Sequence, residues 1–458
     1  ALCVAFLDEG LQGGGGLRAW GQAFGDVLHA YEAALGNDPV FRAAVKEHEA
    51  GQANRVIGRS AVLPKIGLNY NQYANDSSIS GPIITGGPNY TTNRAYPSDL
   101  VQVQLTQPLF NLAALAQMRQ GAAQGDMSEA KFVFQTQDLL VRVLQSYCDV
   151  LYAEDNLDYV TAQREAYKEQ LKVNQRTYEK GEGTITDALE TRASYQMSEA
   201  QVIEAQDALE NNKRKLEALT GNPIRSATEV KKLSNNFRVL PLTPGAFELW
   251  RDMALANNAE LRSSDHSVEV ARQEYAKQKA AHYPTVAGVV GWNQQKSQTY
   301  SAINQNAVTS QARVVISMPI FSGGEITGRT SQAMANFEKA QAERDSVRER
   351  IITELRKQYD LVNSSLKKVE ALNRAVDSAN ELTKAMRKSV QGGQRINLDI
   401  LLADKGLATA KRDLAQAKYN YMLALLRMKQ QAGSLTLEDL EKTAKNFQTD
   451  TISKVAKH

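Results

Sequence analysis

Residues able to make or break bonds are present but scattered. The histidines, His29, His48, His266, His282 and His458, do not cluster at metal-ligand spacing. There is no G-x-S-x-G, no phosphate-binding glycine loop and no H-E-x-x-H. Cys3 and Cys148 are too few for a disulfide framework and form no C-x-x-C pair. Cys148 lies in an apolar, helix-periodic stretch and reads as a small core residue. The chain therefore reads as non-enzymatic, with no cofactor and no metal. Asp187 in "GEGTITD" and Asp399 in "QGGQRINLD" stand out by position. Each follows a glycine-containing break, and about 212 positions separate them. From the residues alone, each reads as starting the helix that follows.

Composition narrows what could position such groups. The 458 residues carry a net charge of +3, with 23% charged residues of mixed sign. No basic stripe marks a nucleic-acid binder. Mean hydropathy is −0.42, and no run approaches the roughly 20 apolar residues of a membrane helix. Barrel strands escape that test because their alternating signal is weak.

The elements come twice. Residues 18–63 read as a helix pair broken at "GND", with Asp38 as N-cap and Pro39 in the first turn. "KIGLNYNQY" (65–73) alternates as a strand. Residues 75–99, rich in Gly, Pro, Ser and Asn, read as a loop. "LVQVQLTQPLF" then puts Val101, Val103 and Leu105 on one face, Gln102, Gln104 and Thr106 on the other, and closes at Pro108. From about 111 to 180 the chain is proline-free and helical, a length of about 100 Å as one helix. "GEG" interrupts it before helix resumes. From 243 the same order returns: helix pair, strand "TVAGVVGWN", polar loop 294–311, and strand "ARVVISMPIF" with Val314, Ile316 and Met318 on one face and Pro319 closing it. A second proline-free helix follows, broken by "QGGQR". In that helix Leu355, Tyr359, Val362, Leu366 and Val369 begin a stripe that steps by about 3.5, a coiled-coil seam.

The expected organisation is a leader or signal remnant at 1–17, a first repeat at 18–222, a linker at 223–240, a second repeat at 241–433, and an equatorial or flexible tail at 434–458. Two strands per repeat give four per chain, too few to close a barrel. A membrane forbids the open edges that remain. Three copies would supply twelve strands. Tyr70, Tyr73, Tyr90, Tyr96, Trp292 and Tyr300 fit interfacial girdles or scattered core positions equally. A structural coiled-coil or filament protein is the rival of another class, but it has no need for strand pairs at matching places.

This doubled order resembles the TolC family of outer-membrane channel-tunnels. "LPKIGLNY" and "YPTVAGV" enter the strands, "QPLFN" and "MPIFSGGEI" leave them, and "YEKGEGTITDALETRASY" and "QGGQRINLDILLADKG" mark the helix turns. The resemblance covers about 22 to 440. It implies a mainly α fold with a small β part: long antiparallel coiled-coil helices forming a periplasmic tunnel below a trimeric twelve-stranded barrel. The location implied is the outer membrane of a Gram-negative bacterium, with most of the chain in the periplasm. The function implied is the exit duct of a tripartite exporter, for type I protein secretion or, as the alternative, multidrug efflux. Implied partners are two further copies, a periplasmic adaptor, outer-membrane lipid, and an inner-membrane ABC exporter or a proton-driven drug pump. No nucleic acid is implied. By motif, Thr186, Asp187 and Arg395 would tie the tunnel's closed end and Asp399 would line it. Val390 and Leu402 stand where family members often carry a tyrosine and a second aspartate. Pro108 and Pro319 would mark the barrel-to-tunnel joint, with Val101, Val103, Leu105, Val314, Ile316 and Met318 facing lipid.

Overall fold

The computed structural model describes residues 27–82, 87, 89–224, 230–234, 237–298, 304–392 and 394–447. The leader at 1–17, Cys3, Tyr300, Gly393, His458 and the side chain of Tyr90 lie outside the described residues.

Nine helices and four strands alternate among the described residues: α1 (Val27–Asn37), α2 (Pro39–Ser60), β1 (Lys65–Pro82), β2 (Asn89–Phe110), α3 (Leu112–Glu179), α4 (Ile185–Thr220), α5 (Phe247–Asn257), α6 (Ala259–Ala280), β3 (Thr285–Gln298), β4 (Asn304–Ser317), α7 (Glu325–Gln391), α8 (Asn397–Gln431) and α9 (Leu437–Ala444). The second half repeats the order of the first, element by element, up to α8.

The described residues divide into two compact units, one within 47–131 and 260–347, the other within 27–46, 132–259 and 348–447. In the first unit the strands form one antiparallel sheet in the order β1-β2-β3-β4. Both outer edges, β1 and β4, carry unpaired ladder groups within the chain. The strands are longer than the alternation suggested. β1 and β2 pair without interruption from Lys65↔Thr106 to Pro82↔Asn89, so most of the supposed loop 75–99 is ladder. The polar side chains misled because they bond across the ribbon: Asn75 Nδ2 donates to Ser98 Oγ (2.8 Å), and the Ser80 and Thr91 hydroxyls meet at 2.8 Å. Residues 294–298 and 304–311 are likewise strand.

Beside the sheet, α2 and α3 approach through glycines. A Cβ on Gly121 would collide with the Asn54 carbonyl oxygen and the Gly58 Cα. Backbone occupies that space, so the absence of a side chain sets the distance.

In the other unit, α3 is the most deeply buried helix through its middle. Leu139, Leu144, Tyr147, Val150 and Leu151 are all at most 1% exposed. Asp38 caps α2, accepting from Phe41 N at 3.1 Å, and takes an ion pair from Arg142 at 2.7 Å. α7 buries a narrower stripe of Ile351, Leu355, Gln358, Val362, Ser365 and Val369. The period is the one read from the sequence. Gln358 and Ser365 take the places given to Tyr359 and Leu366, because Gln358 bonds Glu354 (2.6 Å) and Ser365 is small. Cys148 is buried, and burial pushes its thiol well above the ordinary range.

Candidate channel surfaces

Residues facing each other across an antiparallel ladder share a sheet face. The register therefore sorts every strand residue. One face aligns Ile66, Leu105, Val290 and Ala312 in a row across four strands, then Leu68, Val103, Trp292 and Ser310, then Tyr70, Val101, Gln294 and Val308. Its apolar side chains stand open: Ile66 is 73% exposed, Leu68 70%, Val314 65% and Ile316 70%. The other face carries Asn69, Asn71, Gln102, Gln104, Thr106, Asn293, Gln295, Thr309 and Gln311. A ladder of side-chain bonds runs along it, Gln102 to Gln104 (3.3 Å) and Gln104 to Thr106 (3.1 Å). Met318 is a correction. It follows Ser317, the last strand residue, because nothing pairs with the chain beyond the Thr285↔Ser317 rung.

The two strand-to-helix joints differ. Pro108 stays in the ladder opposite Ala287, and the register slips between Pro108 and Phe110. The switch to helix comes at Asn111, whose Oδ1 accepts from Ala114 N at 3.0 Å. Gln107 braces the joint by donating to the carbonyls of Val62 (3.0 Å) and Pro108 (2.8 Å). Pro319 lies past the end of β4. The chain then turns through Gly323 (φ 60°) and Gly324 (φ 86°) before α7 begins at Glu325. Positive φ at two successive residues favours glycine at both.

The helix turns share one design. After α3, Glu182 N donates to the Thr177 carbonyl (2.9 Å) and Gly181 takes φ 78°. After α7, Gln394 N donates to the Ser389 carbonyl (3.0 Å) at matching positions. This five-residue return bond satisfies carbonyls at a helix end. Thr184 caps α4, accepting from Asp187 N at 3.1 Å. Asp187 is therefore the third residue of its helix rather than the cap. Asp399 holds the same place in α8 and accepts from Ile396 N at 3.4 Å. Arg395 pairs with Asp399 at 3.7 Å within the same turn. Thr186 and Asp187 are exposed, and among the described residues neither is bonded to Arg395.

Sequence reasoning missed the ties flanking these turns. Asn174 Nδ2 donates to Thr191 Oγ1 (2.7 Å), joining α3 to α4. Arg387 pairs with Asp404 (3.2 Å), joining α7 to α8. The first pair is symmetric about Glu182 and Gly183 and the second about Arg395 and Ile396, so folding the sequence back at these two points finds both. α8 also reaches α3. Lys405 donates to Tyr167 OH (3.3 Å), Arg412 lies 4.2 Å above the Tyr159 ring, and Tyr419 OH donates to Asp155 (3.3 Å). Burial raises the Asp155 carboxyl to about 6 against the pull of Lys232 and the Tyr419 bond. Among the described residues no group of His, Cys, Asp and Glu is arranged to hold a metal, and no helix is long and apolar enough to cross a membrane.

Comparison with known proteins matches this doubled architecture. The family model described as "Outer membrane efflux protein" aligns twice, over residues 30–222 and 250–434. The alkaline protease secretion protein AprF of Pseudomonas aeruginosa is 39% identical over 421 residues, covering 92% of this chain and 87% of that one. The proteases secretion protein PrtF of Dickeya chrysanthemi is 35% identical, covering 93% and 92%. The outer membrane protein TolC of Escherichia coli is 26% identical, covering 91% and 83%. The Campylobacter jejuni CmeC outer membrane channel superposes with a TM-score of 0.73 at 16% identity, covering 92% of this chain and 89% of that one. The chain belongs to the outer membrane efflux protein family, the TolC-type channel-tunnels that form exit ducts in the outer membrane of Gram-negative bacteria.

Proposed function

We propose that three copies close a twelve-stranded barrel and that the duct passes secreted protein, a protease foremost, from an inner-membrane ABC exporter through a periplasmic adaptor to the outside. The observation that carries closure is the open sheet: bare edges on β1 and β4 and one exposed apolar face. Unpaired edges cannot persist in hydrocarbon. Val101, Val103, Leu105, Val314 and Ile316 then face lipid, with Met318 at the rim, and the amide face lines the lumen. Pro108 and Pro319 mark the joint between barrel and tunnel. Protein export is favoured over drug efflux because the relatives at 39% and 35% identity are protease secretion proteins by name.

The turns carrying Thr186, Asp187, Arg395 and Asp399 close the periplasmic end. Arg395, held loosely by its own Asp399, is free to reach a carboxylate on a neighbouring coil. Such links are individually weak, about 1 kcal/mol, and threefold repetition holds a gate that partners can open.

Extraction of the outer membrane in mild detergent tests assembly. An SDS-resistant trimer is expected, and a stable monomer in detergent-free buffer sinks the reading. In planar bilayers Arg395→Ser and Asp187→Ala each raise single-channel conductance; unchanged conductance in both removes the gate assignment. Deleting the chain from its host stops protease release into the medium, whereas loss of drug resistance with normal protease release would reassign the duct.

A further inference from the structure

The polar sheet face holds charges of one sign only. Sorting the strands by register puts Lys65, Arg94 and Arg313 on it, and no aspartate or glutamate. Asp76, Asp99 and Lys296 fall on the opposite face, where Asp99 and Lys296 stand directly across from each other. Two of the three cations belong to a single row, Lys65↔Thr106↔Val289↔Arg313. That row crosses the whole sheet near its helix-connected end and carries a cation on each free edge. Three strand spacings separate those edges, about 14 Å. Lys65 and Arg313 are exposed, and among the described residues neither has an ion-pair or hydrogen-bond partner. Around them the face offers only amides, hydroxyls and small or apolar side chains.

An unpaired cation in a low-dielectric wall acts over a longer range than one on an open surface, because field lines concentrate in the lumen. The row also ends where closure begins, so each seam between copies brings one copy's β4 edge beside the next copy's β1 edge. We infer that Lys65 and Arg313 form a basic collar inside the barrel, near its junction with the tunnel, that attracts acidic segments of the exported polypeptide. This rests on the closed barrel proposed above. Amides surrounding the collar exchange hydrogen bonds with any extended peptide, so charge is what the collar adds. Guanidinium binds carboxylates in a fixed fork and the lysine as a point charge. Both attractions weaken with salt, so a passing acidic segment is held briefly and released.

The test uses the assembled full-length channel in planar bilayers, with polyglutamate added on the barrel side. Wild type is expected to be blocked at about tenfold lower polyglutamate than the K65Q/R313Q variant. The difference shrinks as salt rises. R313K, which keeps the charge, blocks near the wild-type concentration. K296Q removes a cation from the outward face and behaves as wild type, and polylysine does not distinguish the channels. Equal polyglutamate block in wild type and K65Q/R313Q, or the same loss in K296Q, overturns the collar while leaving the duct intact. A wild-type chain that gives neither trimer nor current overturns the closed barrel and the collar with it.

Discussion

One residue, Asn111, carries the first copy from strand to helix; the second copy uses residues 318–324, including a glycine pair. β2 is an inner strand, held by β1 as far as Thr106 and by β3 up to Phe110. Its direction is fixed when the helix starts, and one capping side chain suffices. β4 is an edge with a single neighbour, and its chain must find the helix without a second ladder to guide it. The helices differ in the same sense. α3 meets α2 glycine against glycine at Gly58 and Gly121, whereas α7 carries Ala333, and α6 carries Gln278, at the matching places. Tyr147 OH bonds the Lys231 carbonyl (3.0 Å) and stacks edge-on against Phe447, fully buried. Tyr359 OH bonds the Gly245 carbonyl (2.7 Å) and stacks against Phe247 while half-buried. Duplication kept the contacts, but the first copy completes its packing within the chain and the second leaves more of it open.

The largest test of that contrast is at the glycine crossing. Gly121→Val should destabilise by about 3 kcal/mol, because backbone of α2 must move, while Ala333→Gly costs about 1–2 kcal/mol through helix propensity and the loss of one buried methyl. Thermal unfolding in detergent, followed by helical circular dichroism, reads both; equal losses would erase the distinction. Next comes the tyrosine pair. Tyr147→Phe leaves a buried carbonyl without its donor and should cost about 1–2 kcal/mol, and Tyr359→Phe less than about 1.

Asp155 gives a third comparison, since the matching Lys367 is exposed. Its folded pKa of about 6 lies above the ordinary carboxylate value. The folded state therefore binds a proton that the unfolded chain releases, and this contribution rises as pH falls through about 6, levelling near 4. Asp155→Asn should raise the melting temperature at pH 8 and leave it nearly unchanged at pH 4; a constant offset at both would assign the effect to packing. The smallest effects lie at the helix starts. Thr184→Ala removes a cap worth about 1 kcal/mol, whereas Ile396→Thr supplies one at the matching turn and should stabilise by up to about that amount.

The repeat order, the long helices and the two sheet faces were legible because each rests on periodicity within one segment. Val101, Val103 and Leu105 alternate cleanly, and the ladder places them on one face. Strand length was not legible. Beyond Tyr73 the ribbon is rich in Ser, Asn, Thr and Gly and loses the alternation, and only pairing across strands identifies such residues as ladder. Pro108 was legible near the joint because proline removes a donor, but the bulge after it and the cap from Asn111, three residues on, were not. At the helix turns, Asp187 and Asp399 were found through the repeat. Asn174–Thr191 and Arg387–Asp404 required the chain to be folded back upon itself. The cations of the polar face became visible only once the register joined four strands.

If the proposed ring of three closes the barrel, the bare β1 and β4 edges also have a genetic consequence. In a ring of three, every copy is both donor and acceptor of a seam, so a chain with one damaged edge spoils the barrel for two sound neighbours. In a cell making sound and edge-damaged chains equally, about one assembly in eight would contain only sound copies. Such an allele would be dominant, whereas one that prevents folding altogether would be recessive.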